Sequence, residues 1–426
     1  MSLRVAEIRK KFSAVLTALT AAVLLSSCGN SGRRIVIWSS CGEFAQYIEL
    51  FNSTHDDIQA VLVYKQNPAD SLPPAKDEMP PDIIAGSWLR TDSTARNFKP
   101  LDYMFDRRRI VSASFYTPLL DSGKVGMSQY LLPVSFSLPA VIFSDSNREL
   151  VRQDYFLTLD EIRLTASEFN RKNRNGAFTR IGFSPLSDSS FLYFTAKIQG
   201  AAFRSEKNRI VWDGERLDSS VQFIRSWVNG ENSSAQEEED FAFKYLFMPD
   251  YRKVTSGRTL FAYTTSDRLF KIMSDQDTEL DYRWISDGMS IPLEDSFMTM
   301  GIYRDTENQP GATEFLAWFF SAETQKALLE RKSALRLDTE LFGIAGGFSA
   351  VREVTEQILP VYYTRLLSNL PPAQMLEPPQ ELPPKWNSYR TTVVEPYIGA
   401  AVRTDGTDGC PPIEEFESEW RKKIFD

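Results

Sequence analysis

Three cysteines and one histidine supply every thiol and imidazole in these 426 residues. His55 lies in a polar turn, Ser53-Thr54-His55-Asp56-Asp57, with no nucleophile motif beside it. The cysteines stand at 28, 41 and 410, and their spacing does not match a zinc site. There is no Gly-x-Ser-x-Gly elbow and no phosphate-cradling glycine loop. The 57 acidic residues leave one catalytic arrangement open: two carboxylates brought together from distant positions. Neither a cofactor nor a metal is expected, and the chain reads as a non-enzyme.

Cys28 carries the most specific chemistry. Arg4, Arg9, Lys10 and Lys11 form a basic start, an uncharged run follows from Phe12 to Leu25, and Leu25-Ser26-Ser27-Cys28 closes the segment. An apolar stretch of 14 residues is short for a membrane span and suits an export signal. The ending resembles a bacterial lipobox, which implies cleavage before Cys28 and lipidation of its thiol. Residues 1–27 would then be a signal peptide and 28–34 a lipidated linker. The body would be anchored to a bacterial membrane and face the periplasm or the cell exterior.

Removing residues 1–27, with four cations and one carboxylate, takes the net charge from −9 to −12. That balance argues against nucleic acid and against a polybasic membrane surface. The remaining chain of about 400 residues exceeds one typical core, so two domains are expected. Cys41 and Cys410 are compatible with either a disulfide or two free thiols.

The elements alternate. Ile35–Trp38 is a continuous apolar run, as in a strand buried on both faces. Phe44, Tyr47, Ile48 and Phe51 share one helical face. Ile58–Tyr64 and Pro81–Gly86 read as further strands, so the chain opens with a βαβ unit. Residues 131–144, broken by Pro133 and Pro139, read as an extended crossover between domains. Helices are predicted over 158–170, 191–200, 219–228, 266–273 and 313–330, and strands over 181–184, 259–263 and 297–303. Glu237–Asp240 reads as a solvated helix face, and Trp227 and Trp318 as core. Residues 371–384, rich in proline, read as a polyproline-like strap.

Five pieces in order resemble the family-1 extracellular solute-binding proteins of bacterial ABC importers, in their maltose-binding-protein-like, carbohydrate-binding branch. They are Ile35–Asn52, Pro81–Trp88, Leu132–Ser137, Ser256–Tyr263 and Glu314–Gln325. The strap and the Cys410 tail have no counterpart in that pattern. The resemblance implies an α/β fold of two lobes (type II) with hinge crossovers and a ligand cleft between the lobes. It places 35–138 with 298–332 in the first lobe and 139–297 with 333–426 in the second.

Ligands of open α/β sheets bind beyond the C-terminal ends of strands. A sugar presents hydroxyls around a weakly apolar face, so its site pairs flat aromatics with short polar groups. The aromatic candidates are Trp88, Phe136, Tyr263, Phe297, Phe348 and Trp386. The polar ones are Ser40, Glu43, Ser135, Asp188, Thr264 and Ser266. For Glu43 a helix-capping role competes. The resemblance implies as partners a small solute of carbohydrate class and a membrane permease, with the receptor a monomer. The alternatives are an importer-less sensing or structural surface lipoprotein of the same fold, and less so an exported glycosidase.

Overall fold

The computed structural model describes residues 34–207, 209–275, 279–335, 341–404 and 409–425. The leader and Cys28 lie outside these residues. The chain enters through β1 (Arg34–Ser39), α1 (Phe44–Thr54), β2 (Gln59–Tyr64) and β3 (Ile83–Ser87). β2 and β3 pair parallel on either side of β1. Ile35 and Ile37 enter one apolar core while Val36 and Trp38 enter another, so β1 is covered on both faces as its unbroken apolar run predicts. Asp82, just before β3, accepts from the Val36 amide (2.8 Å) and the Asn308 amide (3.2 Å), fixing β3 beside β1.

The stretch 131–144 departs from the single crossover expected. It forms β4 (Leu132–Phe136) and β5 (Pro139–Ser144), which belong to different sheets, and the chain passes between them at Ser137-Leu138. Pro133 sits where the pairing register shifts, so its missing N–H interrupts no regular ladder. β6 (Phe156–Leu157) and α2 (Leu159–Phe169) follow, α2 opening on the capping box of Thr158 and Glu161. Residues 181–184 make only an Ile181–Thr259 bridge instead of a strand. Next come α3 (Ser189–Ile198), α4 (Gly214–Gly230) and α5 (Ala235–Lys244). The acidic run on α5 is not wholly solvated, since Glu238 is buried.

β7 (Ala262–Thr265), α6 (Ser266–Asp275) and β8 (Leu280–Ile285) complete the second sheet. A second crossing carries β9 (Ile291–Pro292) back to β10 (Met298–Ile302). The single helix expected over 313–330 is two: α7 (Gln309–Phe319) and α8 (Ala322–Ala334). Ser321 caps α8 by accepting from Thr324 N at 3.0 Å. β11 (Phe348–Ser349), β12 (Leu376–Glu377), α9 (Glu395–Arg403) and α10 (Ile413–Phe425) end the chain.

The first sheet runs β11-β4-β10-β3-β1-β2, and the second β7-β5-β8-β6. β11 pairs antiparallel with β4, so residues 348–349 join the first sheet, although a boundary at 333 assigned them to the second lobe. The reason is packing: Phe348 is fully buried among Phe136, Phe270, Trp284 and Phe342. Through these rings one apolar core extends from the first sheet to one face of the second. The opposite face of the second sheet, with Val141, Phe143 and Tyr263, packs on α2, α3 and α4 around Trp227. Trp318 is only partly buried and packs edge-on against Phe51. No helix among the described residues is long and apolar enough to cross a membrane.

Candidate functional site

Trp88 is the first residue beyond β3, and its φ of 57° lies in the left-handed region that a bulky side chain rarely adopts. Such a backbone costs about 1–3 kcal/mol and concentrates at functional positions. The turn throws the indole out of the sheet, where it packs against both the first-lobe cluster around Trp38 and the second-lobe cluster around Trp386. Its Nε1 is buried and has no hydrogen-bond partner among the described residues. Beside it lies a groove of about 370 Å³ shared by the lobes: Asp70, Asp92 and Asn97 on one wall, Arg209, Glu417 and Trp420 on the other.

The proline-rich strap forms one side of this groove. Arg90 of the first lobe pairs with Glu381 of the strap at 3.2 Å, and the Asn67 Nδ2 donates to the Pro384 carbonyl at 2.6 Å. The Glu381 carbonyl in turn accepts from Ser205 N at 2.8 Å, so the strap is fastened to both sides. A separate small cavity of about 40 Å³ lies past Trp88 between Arg90, Phe297 and Gln380. Another, of about 200 Å³, lies beside Tyr193 and Lys197.

Asp295, at the second crossing, organises the far end. Its Oδ2 accepts from Tyr193 Oη (2.6 Å) and Trp386 Nε1 (2.7 Å), and its Oδ1 from Lys197 Nζ (2.5 Å). Burial pushes its pKa up, but Lys197 and these donors outweigh burial and hold it below the usual carboxylate range. The neighbouring Glu294 ends above that range, because burial prevails there over Lys197 and Arg390. Arg390 also pairs with Glu395 at 3.2 Å, whose other oxygen accepts from Ser189 Oγ at 2.7 Å. Asp295 and Glu395 of this buried group thus each have a cation as partner.

The predicted residues divide. Trp88 and Phe297 both line the small cavity of about 40 Å³. Ser40, Ser135 and Phe136 line a second pocket of about 210 Å³ with Cys41, Ser87 and Asp267. The two spaces lie on either side of the second crossing, since Ser296 and Met298 face one and Phe297 and Thr299 the other. Tyr263 is buried, stacks on Phe194, and donates from its hydroxyl to Glu294 Oε1 at 3.1 Å.

The remaining predictions fall on structural roles. Glu43 is buried and its Oε1 is 2.6 Å from Lys332 Nζ, an internal ion pair that replaces the expected ligand group. Asp188 caps α3, accepting from Ser190 N at 2.8 Å. Ser266 Oγ accepts from Leu138 N at 3.0 Å, tying α6 to the first crossing. Thr264 is buried in β7, Phe348 belongs to the shared core, and Trp386 is fully buried behind Asp295. Cys41 and Cys410 are free thiols, and burial raises the Cys41 pKa to about 11.

Sequence reasoning missed Asp70, Asn97, Arg209, Trp420 and the pair Glu294-Asp295. Two adjacent carboxylates between Leu293 and Phe297, just before a return strand, were a usable signal. Trp420 offered none. Among the described residues no cluster of three or more His, Cys, Asp or Glu is arranged to hold a metal ion.

No protein-family model matches the chain, and no curated protein matches it either. Solved structures do. The sugar-binding protein MalE from Xanthomonas citri superposes with a TM-score of 0.64 at 12% identity, over 92% of this chain and 96% of that one. An ABC substrate-binding protein from Listeria monocytogenes in complex with cycloalternan gives 0.60 at 13% identity, over 93% and 100%. A cyclo/maltodextrin-binding protein complexed with maltotetraose gives 0.60 at 13% identity, over 93% and 98%. At such identities the likeness speaks to architecture, and on that ground the chain has the two-lobe α/β fold of MalE-type solute-binding proteins.

Proposed function

We propose that this protein is an extracytoplasmic receptor that binds a small carbohydrate reversibly between its lobes and delivers it to an ABC permease. One observation carries the reading: the Trp88 indole, held on a left-handed backbone, borders a groove of mixed polar and apolar lining whose walls come from both lobes. A flat aromatic face with carboxylates, an amide and a guanidinium around it suits a sugar ring and its hydroxyls. A ligand touching both walls favours the closed arrangement by its differential affinity, which is what a hinge receptor requires. The similar structures named above carry a cycloalternan and a maltotetraose, in keeping with this ligand class.

Residues 1–28 support lipid anchoring through Cys28 after removal of the signal, with the receptor monomeric and facing outward. No covalent change to the ligand is part of the account. A thermal-shift screen of the lipid-free chain against saccharides tests it. A true ligand at 100 times its Kd stabilises the native state by about 2.7 kcal/mol. Silence across saccharides, or return of a cleaved sugar, overturns the reading.

A second reading has one observation in its favour. Pro379, Gln380 and Leu382 of the strap crowd the space beside Trp88 and Phe297, leaving a cavity of only about 40 Å³ there. That favours a surface lipoprotein that has kept the fold without transport, and the same screen separates the two.

A further inference from the structure

Among the described residues, large exposed apolar side chains stand mostly one at a time, but one turn displays three together. Phe243, Leu246 and Phe247 are 78%, 62% and 96% exposed. They fall at i, i+3 and i+4, where α5 runs on into helical turns through Leu246 N to Phe243 O (3.3 Å) and Met248 N to Tyr245 O (2.9 Å). The inward side of the same turn is anchored, because Phe241 packs with Phe178, Ile181 and Tyr245 in a small satellite core. The outward face is thus held rigidly in solvent.

Cations flank it. Lys244 Nζ lies 5.3 Å from the Tyr245 ring and the Arg258 guanidinium 5.5 Å from the same ring, and both side chains are exposed. Residues 241–258 carry four cations against one carboxylate, Asp250, in a chain of net charge −9. Of the acidic run that precedes them on α5, Glu238 is buried, Glu237 pairs with Lys172 at 3.8 Å, Glu239 pairs with Arg403 at 2.8 Å, and Asp240 accepts from Gln236. Asp250 is itself taken up by Lys253 at 2.9 Å.

We infer that this turn is a membrane-contact site that seats Phe243, Leu246 and Phe247 among the acyl chains of an anionic bilayer while Lys244 and Arg258 meet its headgroups. Two considerations choose a bilayer over a protein partner. Three side chains cannot cover the roughly 800 Å² per partner that a stable protein interface needs. A bilayer demands no matching shape and accepts isolated aromatic wedges beside basic groups. The inference is compatible with the lipid-anchor reading but does not depend on it.

The test places an environment-sensitive fluorophore at Phe247→Cys or, as a control, at Met127→Cys, which is also a highly exposed position. Both labels are carried on the full chain with Cys28, Cys41 and Cys410 replaced by Ser, and mixed with vesicles of phosphatidylglycerol and phosphatidylcholine. The expected result is a blue shift and intensity gain at 247 and none at 127. Pure phosphatidylcholine should give a weaker response. Lys244→Gln and Arg258→Gln should each weaken the response by about five-fold, and Phe243→Ser should abolish it. No change at 247 overturns the proposal, as does an equal change at 127. A shift at 247 that grows with protein concentration without vesicles would instead make the turn a contact between copies of this chain.

Discussion

Trp386 donates from its indole Nε1 to Asp295 Oδ2 over 2.7 Å, joining the end of the proline-rich strap to the second crossing between the sheets. Both groups are buried, and the same carboxylate holds Tyr193 and Lys197. The helix α3, the crossing and the C-terminal segment thereby meet at one anion. Removing that anion leaves the Lys197 ammonium without its charge partner in a poorly solvated place.

Asp295→Ala should therefore cost about 3–5 kcal/mol of stability, the usual penalty for breaking a buried pair from one side. Urea unfolding of the two proteins measures it. Asp295→Asn, which keeps acceptor geometry without charge, should cost less. Equal stability of parent and Asp295→Ala would show that the network does not hold these segments together.

Glu43 should behave as a structural residue. Its pair with Lys332 is almost fully buried, and Lys332 Nζ also donates to the Gly343 carbonyl at 3.0 Å. Glu43→Ala is expected to lower stability by about 3 kcal/mol while leaving saccharide affinity unchanged at a temperature where the variant is folded. Loss of affinity without loss of stability would return Glu43 to the binding site.

Glu238 predicts a pH dependence. Burial raises its pKa from 4.5 to about 7 in the folded state, against hydrogen bonds from Ser184, Asn232 and Leu186 that favour the anion. The folded protein therefore keeps a proton that the unfolded chain releases near pH 4.5. This contribution is complete below pH 4.5 and is lost as pH rises toward 7, by about 2–3 kcal/mol. Denaturation series at pH 4.5, 5.5 and 7 should show Glu238→Gln losing less stability than the parent across that window. A parallel pair of profiles would refute the assignment.

The bridge between Arg90 and Glu381 fastens the strap to the first lobe at the groove, with both side chains about a third exposed or less. Pairs of this kind contribute about 0–1 kcal/mol and are screened by salt. Glu381→Gln should weaken saccharide binding by at most about five-fold, and its affinity should vary less with ionic strength than the parent's. An unchanged salt dependence would show that the bridge has no part in closure.

Much of the architecture was legible because its elements announce themselves locally. Ile35–Trp38 could only be a doubly covered strand, and Thr158 with Glu161 three residues on could only begin a helix well. The failures have local causes too. Residues 131–144 look like one extended segment because the change of sheet takes two residues, Ser137 and Leu138, and leaves the apolar pattern intact. The end of α7 at Phe320 is hidden by good helix formers on either side, with Ser321 as the only sign.

The site was less legible than the fold. Trp88 and Phe297, which line the small cavity between the lobes, could be picked out as candidates because they flank strand ends. Arg209, Glu417 and Trp420 reach the groove from segments far along the chain from Trp88, and nothing in their neighbourhoods marks them. Glu43 reads as a ligand candidate because a carboxylate at a helix start after a strand looks the same whether it meets a ligand or pairs internally, as it does with Lys332.

The most direct test is calorimetric titration of the lipid-free protein with the best saccharide from the screen, beside Trp88→Ala. The account predicts a single saturable site on the parent, the sugar recovered intact, and binding about 30-fold weaker in the variant, as for loss of a central aromatic anchor, with its unfolding midpoint little changed. Equal affinity in both proteins, or no saccharide bound by either, would contradict a carbohydrate site at Trp88.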